Sequence, residues 1–373
     1  MRTWQGTPTI RCVPAEETPC RGEGDIAPAQ GVTRPGGATV AARARRWADV
    51  VLDPSPATMR RFALAGVITT AGIIATGAAV RLSESGLGCP DWPECTRSSL
   101  VAAHSRGDPM FHTWIEFGNR LVTVAITLIA VGVFVAAWRF RPDGHRRRDL
   151  VWLAAVQPAG IIAQAVLGGI VVLTKLNPAM VALHFLLSVA VLAAAVALHV
   201  RCTEGTGPPR SLVRADLRLL SYALVAVVAA MLAAGTVVTG TGPLAGAGAV
   251  PRFHLPLTGV TQFHSDIGWL LGGLAIPLAI GLRLTGAPAR AVRLGWVLLA
   301  LIGLQGVVGY TQYFTGLPAG LVWFHVVGST LIWIAVLQLM FALRDRGPVI
   351  TPAGEPEAGE PGARTPAEPA AAR

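Results

Sequence analysis

Eight stretches of this chain, at roughly 62–82, 113–138, 150–173, 179–200, 219–241, 261–283, 294–313 and 319–343, are apolar almost throughout. Each reaches the roughly 20 residues that a helix needs to cross a bilayer. Inside lipid every backbone polar group must find its partner within the protein, so a chain that crosses eight times does so as helices. Charged residues make up only 14% of the 373, and hydrophobic ones 52%, which excludes an ordinary soluble domain. The expected fold is an all-α integral membrane protein of eight transmembrane helices.

A second pattern divides those eight into halves. Gln164, Thr174 and His184 lie ten residues apart, and so do Gln305, Thr315 and His325. The two sets are offset by 141 residues throughout. Each brackets an apolar helix, a short turn with Pro178 or Pro318, and a second apolar helix with its His in the first turns. Thr76-Gly77 and Thr239-Gly240 are read as matching ends of the first and fifth spans. Four spans per half leave the copies in the same orientation, so the fold is read as two parallel-repeat four-helix bundles about an axis along the membrane normal. The halves are expected at 59–200 and 201–345.

The net charge of +10 raises nucleic acid as a partner, but its placement argues against it. Arg60 and Arg61 precede the first span. Arg139, Arg141, Arg146, Arg147 and Arg148 follow the second, and Arg201, Arg210, Arg214 and Arg218 the fourth. Arg283, Arg290 and Arg293 follow the sixth, and Arg344 and Arg346 the eighth. Lys175 and Arg252 are nearly alone in the other connections. This is the positive-inside pattern, which predicts a multi-pass protein of the cell membrane with both termini cytoplasmic, in contact with lipid and not nucleic acid. Residues 1–58 and 346–373 lack apolar periodicity and read as disordered extensions. Met59-Arg60-Arg61 would itself make a natural start, which leaves open whether 1–58 is expressed.

The even-numbered spans carry polar residues near their outer ends. They are Glu116, Asn119 and Arg120 on the second, His184 on the fourth, Gln262, His264 and Asp266 on the sixth, and His325 on the eighth. Ionisable groups in a span are costly and mark function. Paired imidazoles on facing helices suit haem iron, and two of them give a low-spin centre fit for electron transfer. His264 and His325 form such a pair. His184 has only Glu116 and Asn119 opposite, a one-imidazole site beside a carboxylate. Asp266 and Arg120 read equally as interface anchors, and Gln164 and Gln305 as inter-helix donors. His104, His112, His145, His199 and His254 are expected to be solvated. Cys89 and Cys95 lie in the first outer loop, where a disulfide persists, serving as a loop staple or a redox relay. Cys12, Cys20 and Cys202 fall on the reducing side.

Gly86-Leu87-Gly88-Cys89-Pro90-Asp91-Trp92-Pro93, Glu116-Phe117-Gly118-Asn119-Arg120, the two Gln–Thr–His frames and His264 together resemble the haem A synthase family, over about 60–345. The resemblance implies an oxidoreductase acting on a CH or CH2 group, which oxidises the C8 methyl of haem O to a formyl by successive hydroxylations during terminal-oxidase assembly. It implies haem B as cofactor on His264 and His325, the substrate haem on His184, Glu116 as the catalytic carboxylate, Asn119 and Arg120 near the haem, and Cys89 with Cys95 as the outer pair. Haem O synthase and oxidase assembly factors are the partners it suggests, and homo-oligomers are compatible with it. Many family members carry a His where Asn119 stands, and some a second Cys pair that is missing here. A b-type electron carrier and a haem transporter are the rival readings.

Overall fold

A computed structural model describes residues 53–96, 99–102 and 110–349. Of the extensions expected at 1–58 and 346–373, residues 1–52 (with Cys12 and Cys20) and 350–373 lie outside the described residues, as does His104. The chain forms α1 (Pro56–Leu82), α2 (Met110–Arg139), α3 (Arg148–Leu173), α4 (Pro178–Arg201), β1 (Arg210–Ser211), α5 (Ala215–Thr241), α6 (Leu257–Leu284), α7 (Ala289–Phe314), α8 (Ala319–Ala342) and β2 (Arg344–Asp345). All eight helices are long and apolar enough to cross a membrane.

Local chemistry sets where these helices begin and end. α1 starts at Pro56, ahead of Met59, because Ser55 caps it: its Oγ accepts from the Thr58 N–H at 3.2 Å, and proline's fixed φ suits the first helical position. α1 also continues past Thr76-Gly77 to Leu82, so that pair marks a point within the helix and not its end.

The Gln–Thr–His spacing has a conformational cause. Thr174 and Thr315 are the C-caps of α3 and α7, and each hydroxyl donates to the carbonyl four residues back, at 2.7 Å. The next two residues turn left-handed in both halves: Lys175 (φ 52°) and Leu176 (φ 60°), Gly316 (φ 80°) and Leu317 (φ 61°). Leu176 and Leu317 donate back to Val171 and Gln312, the long hydrogen bond of a Schellman ending. Only the second copy uses glycine at the first left-handed position, so Lys175 holds a conformation that favours Gly.

Packing closes the helices into two rings. α1 packs on α2 and α4, and α3 on α2 and α4; α5 packs on α6 and α8, and α7 on α6 and α8. The rings join through α4 on α5, α1 on α8 and α4 on α8, contacts that a two-fold axis along the helices interchanges. Two indoles lock this seam, Trp323 Nε1 donating to the Ala75 carbonyl (2.9 Å) and Trp333 Nε1 to the Val189 carbonyl (3.0 Å). Between lipid-embedded helices there is no hydrophobic driving force, so close packing and such bonds hold the seam. Large side chains such as Trp152, Leu128, Trp269 and Phe314 point outward, where acyl chains would cover them.

The Arg-rich end is bound by ions. Arg147 and Arg201, both buried, share Asp149 at 2.9 and 2.6 Å; Arg201 also meets Glu204 at 2.6 Å, and Arg344 approaches Glu204 at 3.6 Å. β1 and β2 pair antiparallel, Arg210 with Asp345, tying the link between halves to the chain after α8. The tail expected from 346 onward begins tethered, since the Gly205 N–H donates to the Gly347 carbonyl at 2.7 Å.

Cys202 lies just beyond α4, 1% exposed, and burial pushes its thiol up to about 12. The thiolate is the reactive form, so Cys202 is expected to resist alkylation at pH 8 in the folded protein and to react on denaturation. Peptide-resolved mass spectrometry checks this; rapid labelling of native Cys202 would contradict its packing.

Candidate functional site

The candidate site gathers at the end of each bundle opposite the arginines. In the second bundle, the rings of His264 on α6 and His325 on α8 face each other with centroids 6.2 Å apart and planes inclined by 59°. Each ring rests on a glycine of a neighbouring helix. A Cβ at Gly235 would fall 3.3 Å from His264 Cε1, and one at Gly309 would fall 3.1 Å from His325 Cε1. Both Nδ1 atoms are buried and unpartnered. Gln305 donates through Nε2 to the His325 carbonyl at 2.6 Å, bracing α7 against α8.

The first bundle repeats half of this. His184 on α4 rests on Gly168 of α3, whose Cβ would lie 3.2 Å from Cε1, and its Nδ1 is again buried without a partner. Gln164 donates to the His184 carbonyl at 3.0 Å and to Ser188 Oγ at 2.7 Å. Among the described residues no imidazole faces His184. Asn119 accepts from Thr76 Oγ1 through Oδ1 at 2.7 Å. One turn before Thr76, a Cβ at Gly72 would meet nothing within 4 Å. Gly72 and Thr76 stand to Gly235 and Thr239 at one constant offset, so α1 keeps the glycine seat although α2 brings no ring to it.

Glu116 and Arg120, one turn apart on α2, fasten the first outer loop. Glu116 is buried. Its Oε2 accepts from the Cys89 N–H at 2.7 Å and its Oε1 from Arg120 at 2.9 Å. Arg120 also donates to the carbonyls of Glu94 (3.0 Å), Cys89 (3.2 Å) and Asp91 (3.3 Å). Cys89 and Cys95 are joined by a disulfide, both fully buried. Gly88 passes hard against the His112 backbone, and Trp92 lies over Gly169, next to the seat of His184. The loop therefore covers the mouth of the first bundle.

Other sequence candidates are placed elsewhere. Gln262 donates to Asp266 at 2.7 Å on an exposed face of α6. His145 and His254 are exposed as expected. His112 and His199 are not solvated: both are half-buried in helices, His112 through Nδ1 on Ser85 Oγ at 2.9 Å and His199 with a buried Nδ1. The glycine seats went unread in the sequence, although Gly168 and Gly309 fall four residues after Gln164 and Gln305 in the same repeat.

The residues suit a planar group bound through axial imidazoles better than a bare ion. Among the described residues no three His, Cys, Asp or Glu cluster to hold a metal ion. Two metal–nitrogen bonds of about 2 Å, with half an imidazole on either side, come to about 6 Å, as the His264–His325 pair provides. Fold and site define a multi-span membrane protein built from duplicated four-helix bundles with imidazoles facing inward at one end. A family model described as cytochrome oxidase assembly protein matches residues 60–337, and the chain belongs to that family, for which haem binding is implied. The haem A synthase of Geobacillus kaustophilus is 33% identical over 122 residues, 31% of this chain, and the chain spans only about a third (34%) of that relative. Longer matches are to the haem A synthases of Halalkalibacterium halodurans (28% identity, 69% of this chain and 86% of the relative) and Shewanella oneidensis (22%, 74% and 94%).

Proposed function

We propose that this protein is a haem A synthase of the cell membrane, with both termini cytoplasmic. In this reading residues 201–345 carry haem B on His264 and His325, and residues 59–200 receive haem O on His184. The observation that carries it is the inequality of the two bundles. One offers two facing imidazoles; the other offers a single imidazole, an uncommitted glycine seat and a buried carboxylate beneath a disulfide-bonded loop. A saturated ligand set suits electron transfer and an incomplete one suits chemistry on the bound molecule.

Turning the C8 methyl of haem O into a formyl replaces two of its hydrogens with one oxygen, a four-electron oxidation reached by successive hydroxylations. Haem B, when bound, supplies a one-electron couple. The chain's own residues do the rest. Gly168 seats the His184 ring, and Gln164 holds the backbone from which it projects. Trp92 and the loop exclude water from the mouth. Glu116 keeps lone pairs beyond those used by Cys89 and Arg120, so it can take a proton released at the methyl carbon. Arg120 is held by the loop carbonyls and acts by positioning Glu116.

The test is to co-express this chain with a haem O synthase and identify extracted haems by chromatography and mass. Haem A or its hydroxylated precursor is expected; haem B alone, with haem O unconverted, would favour a b-type electron carrier. A second expectation concerns Asn119. The haem on His184 should be five-coordinate, high-spin and reactive with carbon monoxide, and Asn119→His should convert it to a low-spin centre that no longer binds carbon monoxide. Low-spin spectra for both sites in the unaltered protein would refute the one-imidazole site.

A further inference from the structure

Where α6 and α7 pack together, their outward side carries three linked polar side chains. Tyr310 Oη accepts from Trp269 Nε1 at 3.0 Å and shares a hydrogen bond with Ser265 Oγ at 3.1 Å. Three polar hydrogens serve two bonds, so one hydroxyl proton, on Tyr310 or on Ser265, is left over whichever of the two donates. Acyl chains offer it no acceptor, and the backbone carbonyls of a helix packed alongside would already be spent within that helix. Next to it the rings of Tyr310 and Phe314 stack, with centroids 6.3 Å apart and planes inclined by 16°. Phe314 is 77% exposed and Trp269 70%. Trp269 lies near the middle of α6, deeper than the interfacial belt in which Trp and Tyr anchor helices.

The first bundle closes the same corner. In the Gln–Thr–His frame Tyr310 corresponds to Gly169, and with Asn119 set against His264, Ser265 corresponds to Arg120. Gly169 lies under the indole of Trp92, and Arg120 holds that outer loop by its carbonyls. The loop between α5 and α6 turns instead to the seam. There Gly246 accepts from the Gly86 N–H at 3.1 Å, Leu244 accepts from Arg81 Nε at 2.8 Å, and Phe253 packs on Gly240. Among the described residues nothing covers the corner of α6 and α7 as Trp92 covers its counterpart. This open corner adjoins the paired imidazoles: Ser265 follows His264, and Tyr310 follows Gly309, the seat of His325.

We propose that this corner binds a lipid-soluble quinone, its planar ring serving as the cover that the Trp92 indole provides in the first bundle. A quinone carbonyl accepts the left-over hydroxyl proton of the Ser265–Tyr310 pair, the exposed faces of Trp269 and Phe314 flank the ring, and the apolar tail stays among acyl chains. The proposal rests on the reading that His264 and His325 hold a haem. The ring takes two electrons, one at a time, each oxidising that iron from ferrous to ferric, and two protons from water at the outer surface, and leaves as quinol. Electrons reaching the second bundle thereby pass into a carrier that diffuses in the membrane.

Anaerobic rapid mixing of the reduced, haem-loaded full chain in nanodiscs with 2,3-dimethyl-1,4-naphthoquinone tests it, read by haem absorption. Oxidation should saturate with quinone, and Tyr310→Phe combined with Ser265→Ala should raise the half-saturating concentration about tenfold, the effect of losing a hydrogen bond to the carbonyl. Tyr310→Phe alone serves should the double variant lose its low-spin haem. An azidonaphthoquinone photolabel, which needs no haem, should mark the peptides of α6 and α7 that hold Trp269 and Phe314, and the double variant should lose most of that label. Oxidation that rises linearly and ignores both substitutions would overturn the proposal. So would photolabel confined to other helices, or a second copy of the chain cross-linked over Trp269. Saturable oxidation without haem A in the co-expression test would leave this site standing and end the synthase reading; haem A without saturable oxidation would do the reverse.

Discussion

Glu116→Ala is expected to abolish haem A formation while leaving the haem of the second bundle in place. Glu116 sits on α2, which packs on α1 and α3, whereas His264 and His325 project from α6 and α8. A change at Glu116 therefore reaches the second bundle only through the shared seam. Loss of a proton acceptor in such a position costs about 10²–10⁴-fold in rate. The alanine variant also strips Cys89 N–H and Arg120 of their acceptor, so part of its effect would come from a loosened loop. Glu116→Gln separates the two contributions. Its amide oxygen still accepts one of those bonds and its size is unchanged, but it takes up no proton. If Glu116 handles a proton, both variants lose conversion. Full activity in Glu116→Gln would reduce Glu116 to a fastening for the loop. Loss of all haem from Glu116→Ala would remove the proposed role altogether.

His325→Ala is expected to eliminate the bis-imidazole, low-spin centre and deplete haem B, with haem on His184 retained. The prediction rests on the facing rings and on their glycine seats, which leave each imidazole little freedom. Changes to groups that orient a ligand weaken metal sites by about 10–100-fold, and removing the ligand itself should do more. Haem content by pyridine haemochrome and spin state by electron paramagnetic resonance read the result. His264→Ala should behave in the same way, and His184→Ala should leave the low-spin signal untouched. Haem content unchanged in His325→Ala would end the ligand assignment.

How much of this was legible before folding varied from element to element. The eight spans were, because lipid demands a long unbroken apolar run and leaves few alternatives. The Gln–Thr–His frame was also legible: its Thr caps one helix, a left-handed turn follows, and its His falls within the first two turns of the next helix. The boundaries drifted where a local cap outweighed hydropathy: Ser55 starts α1 at Pro56, and nothing in Thr76-Gly77 stops it. His112 and His199 were misread because each lies near the end of an apolar run, and only packing shows that neighbouring elements cover it.

Within the site, residue types and their repeat were visible in one dimension, but partners were not. Nothing in the spacing of Glu116, Arg120 and Cys89 says that the carboxylate and the guanidinium both hold the outer loop. That contact joins a helix to a loop some 27 residues away, through bonds set by the closing of the ring. The sequence by itself determined the spans, the duplication and the candidate imidazoles, since these follow from local apolarity and from repetition. Only the tertiary structure decided that His264 and His325 face each other, that glycines seat the rings, and that Asn119 turns to Thr76. These depend on which helix faces lie together, which ring closure in the membrane selects.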